Sequence, residues 1–147
     1  MKEKMKQALR HVRKNAPLVQ CITNFVTVND CANIILAAGG SPTMAMDARE
    51  VEEAVRDVSA LVCNMGAIDF VDSMILAGKK ANELGIPVVL DPVAAGGTTL
   101  RRNVSRTLGI RQQIREIRPH ARNLQLQSWR RSIRRFICYQ RKRHDAK

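Results

Sequence analysis

Residues 60–97 read ALVCNMGAIDFVDSMILAGKKANELGIPVVLDPVAAGG, and this stretch decides the fold. Residues 60–64 are a continuous apolar run that breaks at Met65-Gly66, the signature of a strand buried on both faces. A helical segment follows from about Phe70 to Leu84, and Gly85 closes it. Residues 86–91 form a second apolar run, and 91–97 are a glycine-rich loop. Strand, helix and strand in that order, with strands that do not alternate, argue for a parallel sheet covered by helices on both faces.

Working outward, the same alternation continues in both directions. Met5, Ala8, Leu9 and Val12 fall at the i, i+3, i+4, i+7 spacing of an amphipathic helix over 3–15, stopped by Pro17. Leu18-Val19-Gln20-Cys21-Ile22 reads as a buried strand and Thr23-Asn24 as the polar turn after it. A helix over 29–38 is expected to be capped by Asn29 or Asp30 and ended by Gly39-Gly40. Residues 41–44 are expected to be extended, because Ser41 precedes a proline. Asp47 is expected to start a third helix with Val51, Ala54, Val55 and Val58 on one face. On the far side, 102–117 is expected to be one helix with Val104, Leu108, Ile114 and Ile117 inward.

The chain changes character near residue 118. Residues 1–100 carry 10 Lys+Arg against 11 Asp+Glu, a net of −1, whereas 101–147 carry 15 against 2, a net of +13. The overall charge of +12 is therefore a property of the C-terminal third and does not argue for a nucleic-acid partner of the whole molecule. We expect an α/β domain over 1–120 and an arginine-rich tail over 121–147, disordered or helical. The aromatic content is only 3%, so the core must be aliphatic. No apolar run is long enough to span a membrane, and the first 15 residues lack an apolar signal segment, so cytoplasm is the expected compartment. Cys21, Cys31, Cys63 and Cys138 form no CxxC pair and have no histidine at ligand spacing, which points to reduced core thiols rather than zinc.

In parallel sheets, ligands bind outside the carboxyl ends of the strands. The polar residues fall there: Asn24 after the first strand, Asn64 after the second and Asp91 after the third. Each alone is also an ordinary turn former, and the convergence of all three is what marks a site.

Three segments carry a resemblance to a known family: PLVQCITNFVTVNDCANIILAAGGSPTMAMDAREVEE (17–53), LVCNMGAID (61–69) and AGKKANELGIPVVLDPVAAGGTTLRR (77–102). With their ITN, SPTMA, NMG and LDPV motifs in order, they resemble hydroxyethylthiazole kinase, an enzyme of thiamin precursor salvage. The resemblance runs from about Pro17 to about Arg118. It implies a ribokinase-like three-layer αβα fold and transfer of the ATP γ-phosphate to the alcohol of 4-methyl-5-(2-hydroxyethyl)thiazole with Mg²⁺. It also implies a homo-oligomer, typically a trimer with sites at subunit interfaces. By position in the motifs, Asn24 and Met44 resemble thiazole-contacting residues. A thioether, apolar and polarizable, suits a flat sulfur heterocycle, although without the flanking motif Met44 reads as a core residue. Asn64 and Gly66 match a strand end lining the substrate pocket. Asp91 resembles the acidic residue near the metal and phosphates, where a hard cation needs oxygen ligands.

The sequence also departs from the family. Ala94-Ala95-Gly96 stands where the family has Gly-Ala-Gly, placing a methyl where the backbone approaches a ligand. The family's Arg-Gly-Asn-x-x-Glu is replaced by Arg122-Asn123-Leu124-Gln125-Leu126, so Arg122 is the remaining candidate for a nucleotide contact. No glycine-rich anion hole with its catalytic Cys or Asp follows in 124–147, and no catalytic residue is assigned. The expectation is a truncated or frameshifted kinase that keeps the thiazole side of the site and is inactive by itself. Two further readings stay open. Trp129, Ile133, Phe136 and Ile137 at helical spacing among arginines would suit a basic nucleic-acid-binding segment. The N-terminal half would also suit a non-catalytic subunit joining intact kinase protomers.

Overall fold

The computed structural model describes residues 2–111 and 116–117 of the chain. The expectations for Ile114, Arg122 and the whole of 121–147 lie outside them. The elements run α1 (Lys2–Asn15), β1 (Leu18–Ile22), α2 (Val28–Ala38), β2 (Ser41–Thr43), α3 (Val51–Ala54), β3 (Ala60–Asn64), α4 (Val71–Glu83), β4 (Val88–Asp91), α5 (Thr99–Arg111) and β5 (Glu116–Ile117). A single 3₁₀ turn, Ile68–Phe70, leads into α4.

The strands form one sheet in the order β2-β1-β3-β4-β5, and every described pair is parallel. The chain leaves β1 toward β2 and then returns past β1 to β3, β4 and β5. With right-handed crossovers, this reversal puts the helix after β1 on the face opposite the helices after β3 and β4. The result is the three-layer αβα arrangement. The topological switch point, where ligands bind in such sheets, lies between β1 and β3.

The core sits on one face. Ile22, Leu61, Cys63, Val88 and Leu90 point there from three neighbouring strands and meet Val51, Val55, Met74, Ala77, Ala81 and Leu108 from the helical layer. The alternation of buried and half-buried residues along β3 and β4 shows the other face less fully covered among the described residues. Helices α1 and α2 contribute nothing to this core, and Ile34 (68%) and Leu36 (56%) of α2 are exposed.

Local chemistry moves several boundaries from their sequence-based places. Helix α2 starts at Val28, with Thr27 rather than Asn29 or Asp30 at its cap position. The reason is Asn24, whose Oδ1 accepts from the Thr27 backbone N–H (3.1 Å) and hydroxyl (3.2 Å), so the chain turns earlier. Gly39 ends α2 in the left-handed region (φ 95°), and a Cβ there would meet Arg13 Cγ of α1 at 2.7 Å. Asp47 opens a turn rather than a helix. Its carboxylate accepts from the Arg49 backbone N–H (2.9 Å) and guanidinium (2.7 and 2.9 Å), and α3 begins only at Val51. The segment expected as one helix over 102–117 is instead α5 followed by β5, because the outer edge of β4 takes a further parallel strand at Val89↔Glu116 and Leu90↔Ile117. Ile117 therefore belongs to the sheet.

Ala94 adopts φ 54°, a left-handed conformation that destabilises a residue carrying a Cβ by about 1–2 kcal/mol. It is a position that glycine suits. Ala94→Gly is expected to raise stability by about 1 kcal/mol, the relief of strain exceeding the added freedom of the unfolded chain. A urea-unfolding midpoint that falls instead would show that the loop does not hold this conformation in solution.

Candidate functional site

The carboxyl edge of the sheet brings the sequence-derived residues into one row. Met44 follows β2, Asn24 lies two residues past β1, Asn64 ends β3 and Asp91 ends β4. Because the spatial order is β2-β1-β3-β4, the row reads Met44, Asn24, Asn64, Asp91. At about 4.8 Å per strand it spans roughly 14 Å. Chain order, with Asn24 before Met44, does not disclose this arrangement.

Hydrogen bonds tie the Asn64–Asp91 end of the row together. Asn64 and Asp91 are register partners on adjacent strands, and Asn64 Nδ2 donates to Asp91 Oδ2 at 3.0 Å. Asn64 Oδ1 accepts from the Gly66 backbone N–H at 2.6 Å. The amide orientation follows from these partners, since a carboxylate can only accept and an N–H can only donate. Gly66 is packed against both asparagines: a Cβ would stand 2.6 Å from Asn24 Nδ2 and 2.6 Å from Asn64 Oδ1. Glycine is therefore required here for space, at the switch point between β1 and β3.

Arg101 and Gln20 were not singled out by the sequence. From the first turn of α5, Arg101 Nη1 donates to the carbonyls of Met65 (2.7 Å) and Val93 (3.3 Å), clamping the loops after β3 and β4 to each other. Ser105, one turn later, is buried and donates to the Arg101 carbonyl (2.8 Å). Gln20, wholly buried in β1, donates through Nε2 to the Ala45 carbonyl. Its polar side chain within the run LVQCI was the available signal. Phe25, 72% exposed, meets Phe70 edge to face at 5.7 Å beside Asn24.

Cys21 and Cys63 are not poised as nucleophiles. Burial pushes Cys21 up to about 11, with Cys31 adding to the effect. Burial also pushes Cys63 up to about 12, with Cys21 adding to it. Both are protonated at neutral pH. Among the described residues no three His, Cys, Asp or Glu side chains are grouped to hold a metal. Asp91 contributes a single carboxylate, held by Asn64. That suits Mg²⁺ delivered with phosphates, which uses one or two carboxylates, and not a cage built from protein alone. No described helix is long and apolar enough to cross a membrane.

Comparison with known proteins identifies the family. The sequence model of the Hydroxyethylthiazole kinase family matches residues 9–129. The hydroxyethylthiazole kinase of Alkaliphilus metalliredigens is 48% identical over 126 residues, covering 84% of this chain and 46% of that protein. The corresponding protein of Desulfovibrio desulfuricans is 57% identical over 101 residues, covering 67% of this chain and 35% of its own length. The solved structure of the Pyrococcus horikoshii hydroxyethylthiazole kinase protein superposes with a TM-score of 0.77 at 43% identity, covering 81% of this chain and 47% of the other. The chain thus spans between about a third and a half of the length of these relatives. The family model spans most of the chain, and this chain belongs to the hydroxyethylthiazole kinase family.

Proposed function

We propose that this chain binds 4-methyl-5-(2-hydroxyethyl)thiazole along the row from Met44 to Asn64. In this reading it forms the substrate side of a kinase that uses ATP and Mg²⁺. The observation that carries the reading is the order of the row. A thiazole ring is shorter than the roughly 14 Å available, so it occupies one end and points its hydroxyethyl arm at the other. Met44 and Asn24 offer an apolar, polarizable surface and an amide for the heterocycle. Asp91, at the opposite end, offers oxygen to a cation arriving with phosphates. Gly66 keeps the floor between them low. Metal and nucleotide would supply charge neutralisation and the phosphoryl group. The residues on this chain bind and orient the alcohol.

The reading includes an absence of turnover. Phosphoryl transfer rests on positioning and on charge stabilisation around the γ-phosphate. Residues 124–147 contain no glycine-rich hole of the kind the family resemblance implies. The purified chain is therefore expected to bind the thiazole alcohol saturably in calorimetry and to leave ATP unconsumed in its presence. Phosphorylated thiazole produced by the chain alone and lost in Asp91→Ala would refute the inactive part. Binding that survives Met44→Ala unchanged would refute the placement. Self-association belongs to the same proposal, favoured by the exposed Ile34 and Leu36 on α2. A cytoplasmic location goes with it.

A further inference from the structure

We propose that Gln20 is a positioning residue that sets the 44–46 segment and thereby presents Met44 to the thiazole. The proposal rests on the substrate reading above for its ligand, but not for its structural half.

Gln20 occupies the core-facing side of β1, in register with Leu61 of β3 and two residues from Ile22, both wholly buried. It is itself wholly buried. A buried amide must be hydrogen-bonded to offset its lost hydration. Here the offset is partial. Nε2 donates to the Ala45 carbonyl, while Oε1 is buried with no hydrogen-bond partner among the described residues. A leucine of similar volume would bury apolar surface without this penalty. Stability alone therefore does not account for the amide.

Its one bond accounts for it. Ala45 lies between Met44 and Met46, in a stretch with neither helix nor strand that begins where β2 ends at Thr43. Met46 packs against the core, and Met44 is half-buried at the carboxyl edge. Fixing the carbonyl between them sends one methionine inward and holds the other at the row. Without the Gln20 N–H, the same backbone has solvent as its alternative partner, and the direction of Met44 is no longer set.

The test uses the full chain, with the Ala45 carbonyl ¹³C resonance, thermal unfolding and calorimetric titration with the thiazole alcohol. Gln20→Leu is expected to unfold at the same temperature or higher. Its Ala45 carbonyl resonance should move upfield, as that of a carbonyl losing its donor does, and it should bind the thiazole about tenfold more weakly. Stability and affinity moving apart is a pattern that a merely structural residue would not give. Gln20→Glu supplies the second arm and serves if the leucine variant does not fold. Burial raises a carboxyl pKa, so at pH 5 the neutral acid can donate to the Ala45 carbonyl and restores the wild-type resonance position. At pH 8 the carboxylate cannot donate and restores nothing, while wild type changes little between the two. An unmoved Ala45 resonance in Gln20→Leu, or no pH dependence in Gln20→Glu, overturns the proposal. If wild type binds no thiazole while the resonance behaves as described, the substrate reading fails and Gln20 still sets the segment.

Discussion

Gly66→Ala is expected to weaken thiazole binding at least a hundredfold. The added methyl has no place to go. It would stand 2.6 Å from Asn24 Nδ2 on one side and 2.6 Å from Asn64 Oδ1 on the other. Neither amide is the loose end of a flexible chain. Asn24 is held through its Oδ1 by Thr27 at the start of α2, and Asn64 is held by Asp91 and by the Gly66 N–H itself. Making room therefore breaks at least one of these bonds and displaces a strand end, an overpacking penalty of about 1–3 kcal/mol. Because the displaced groups belong to the row, binding suffers more than folding does. Calorimetry with the thiazole alcohol and urea unfolding on the same preparation separate the two. Wild-type affinity in Gly66→Ala would mean that the ligand does not use the crevice between β1 and β3.

That crevice was half legible in the sequence. The apolar runs at 18–22, 60–64 and 86–91 gave three strands, and Asn24, Asn64 and Asp91 could be placed at their ends. Sequence alone does not give the neighbour relations, because strand order depends on long-range pairing. The insertion of β1 between β2 and β3 is what brings Met44 beside Asn24. Boundaries failed where a side chain competed with the backbone for hydrogen bonds. Asn24 and Asp47 each satisfied backbone N–H groups three and two residues on, shifting the starts of α2 and α3. β5 was missed because two residues leave no periodicity to read, and only the open edge of β4 explains why they pair. Gln20 and Arg101 were passed over for a related reason. Each acts on a backbone carbonyl remote in sequence, Ala45 and Met65 respectively, and no spacing rule connects such pairs.

Leu61→Ala is expected to give the opposite result to Gly66→Ala. Leu61 lies in β3, the middle strand of the sheet, and is wholly buried. It faces the core between Gln20 of β1 and Val88 of β4. Its neighbours are fixed by strand pairing on both sides, so the site cannot collapse around a smaller residue. Truncation should cost about 2–5 kcal/mol, from lost transfer energy and from the cavity left behind. That is a large part of the roughly 5–15 kcal/mol that holds an ordinary domain together. Leu84→Ala, at 49% exposure beyond α4, is the control and should lose under about 1 kcal/mol. Molecules of Leu61→Ala that remain folded, held at low temperature, should bind the thiazole within about twofold of wild type. Leu61 stands three residues before Asn64, and its side chain faces the core side of the strand. A loss below about 1 kcal/mol in Leu61→Ala would contradict the packing of α4 and α5 on this face. Equal losses of stability and affinity in both variants would mean that site and core cannot be separated. The row would then be a by-product of sheet packing rather than a surface shaped for a ligand.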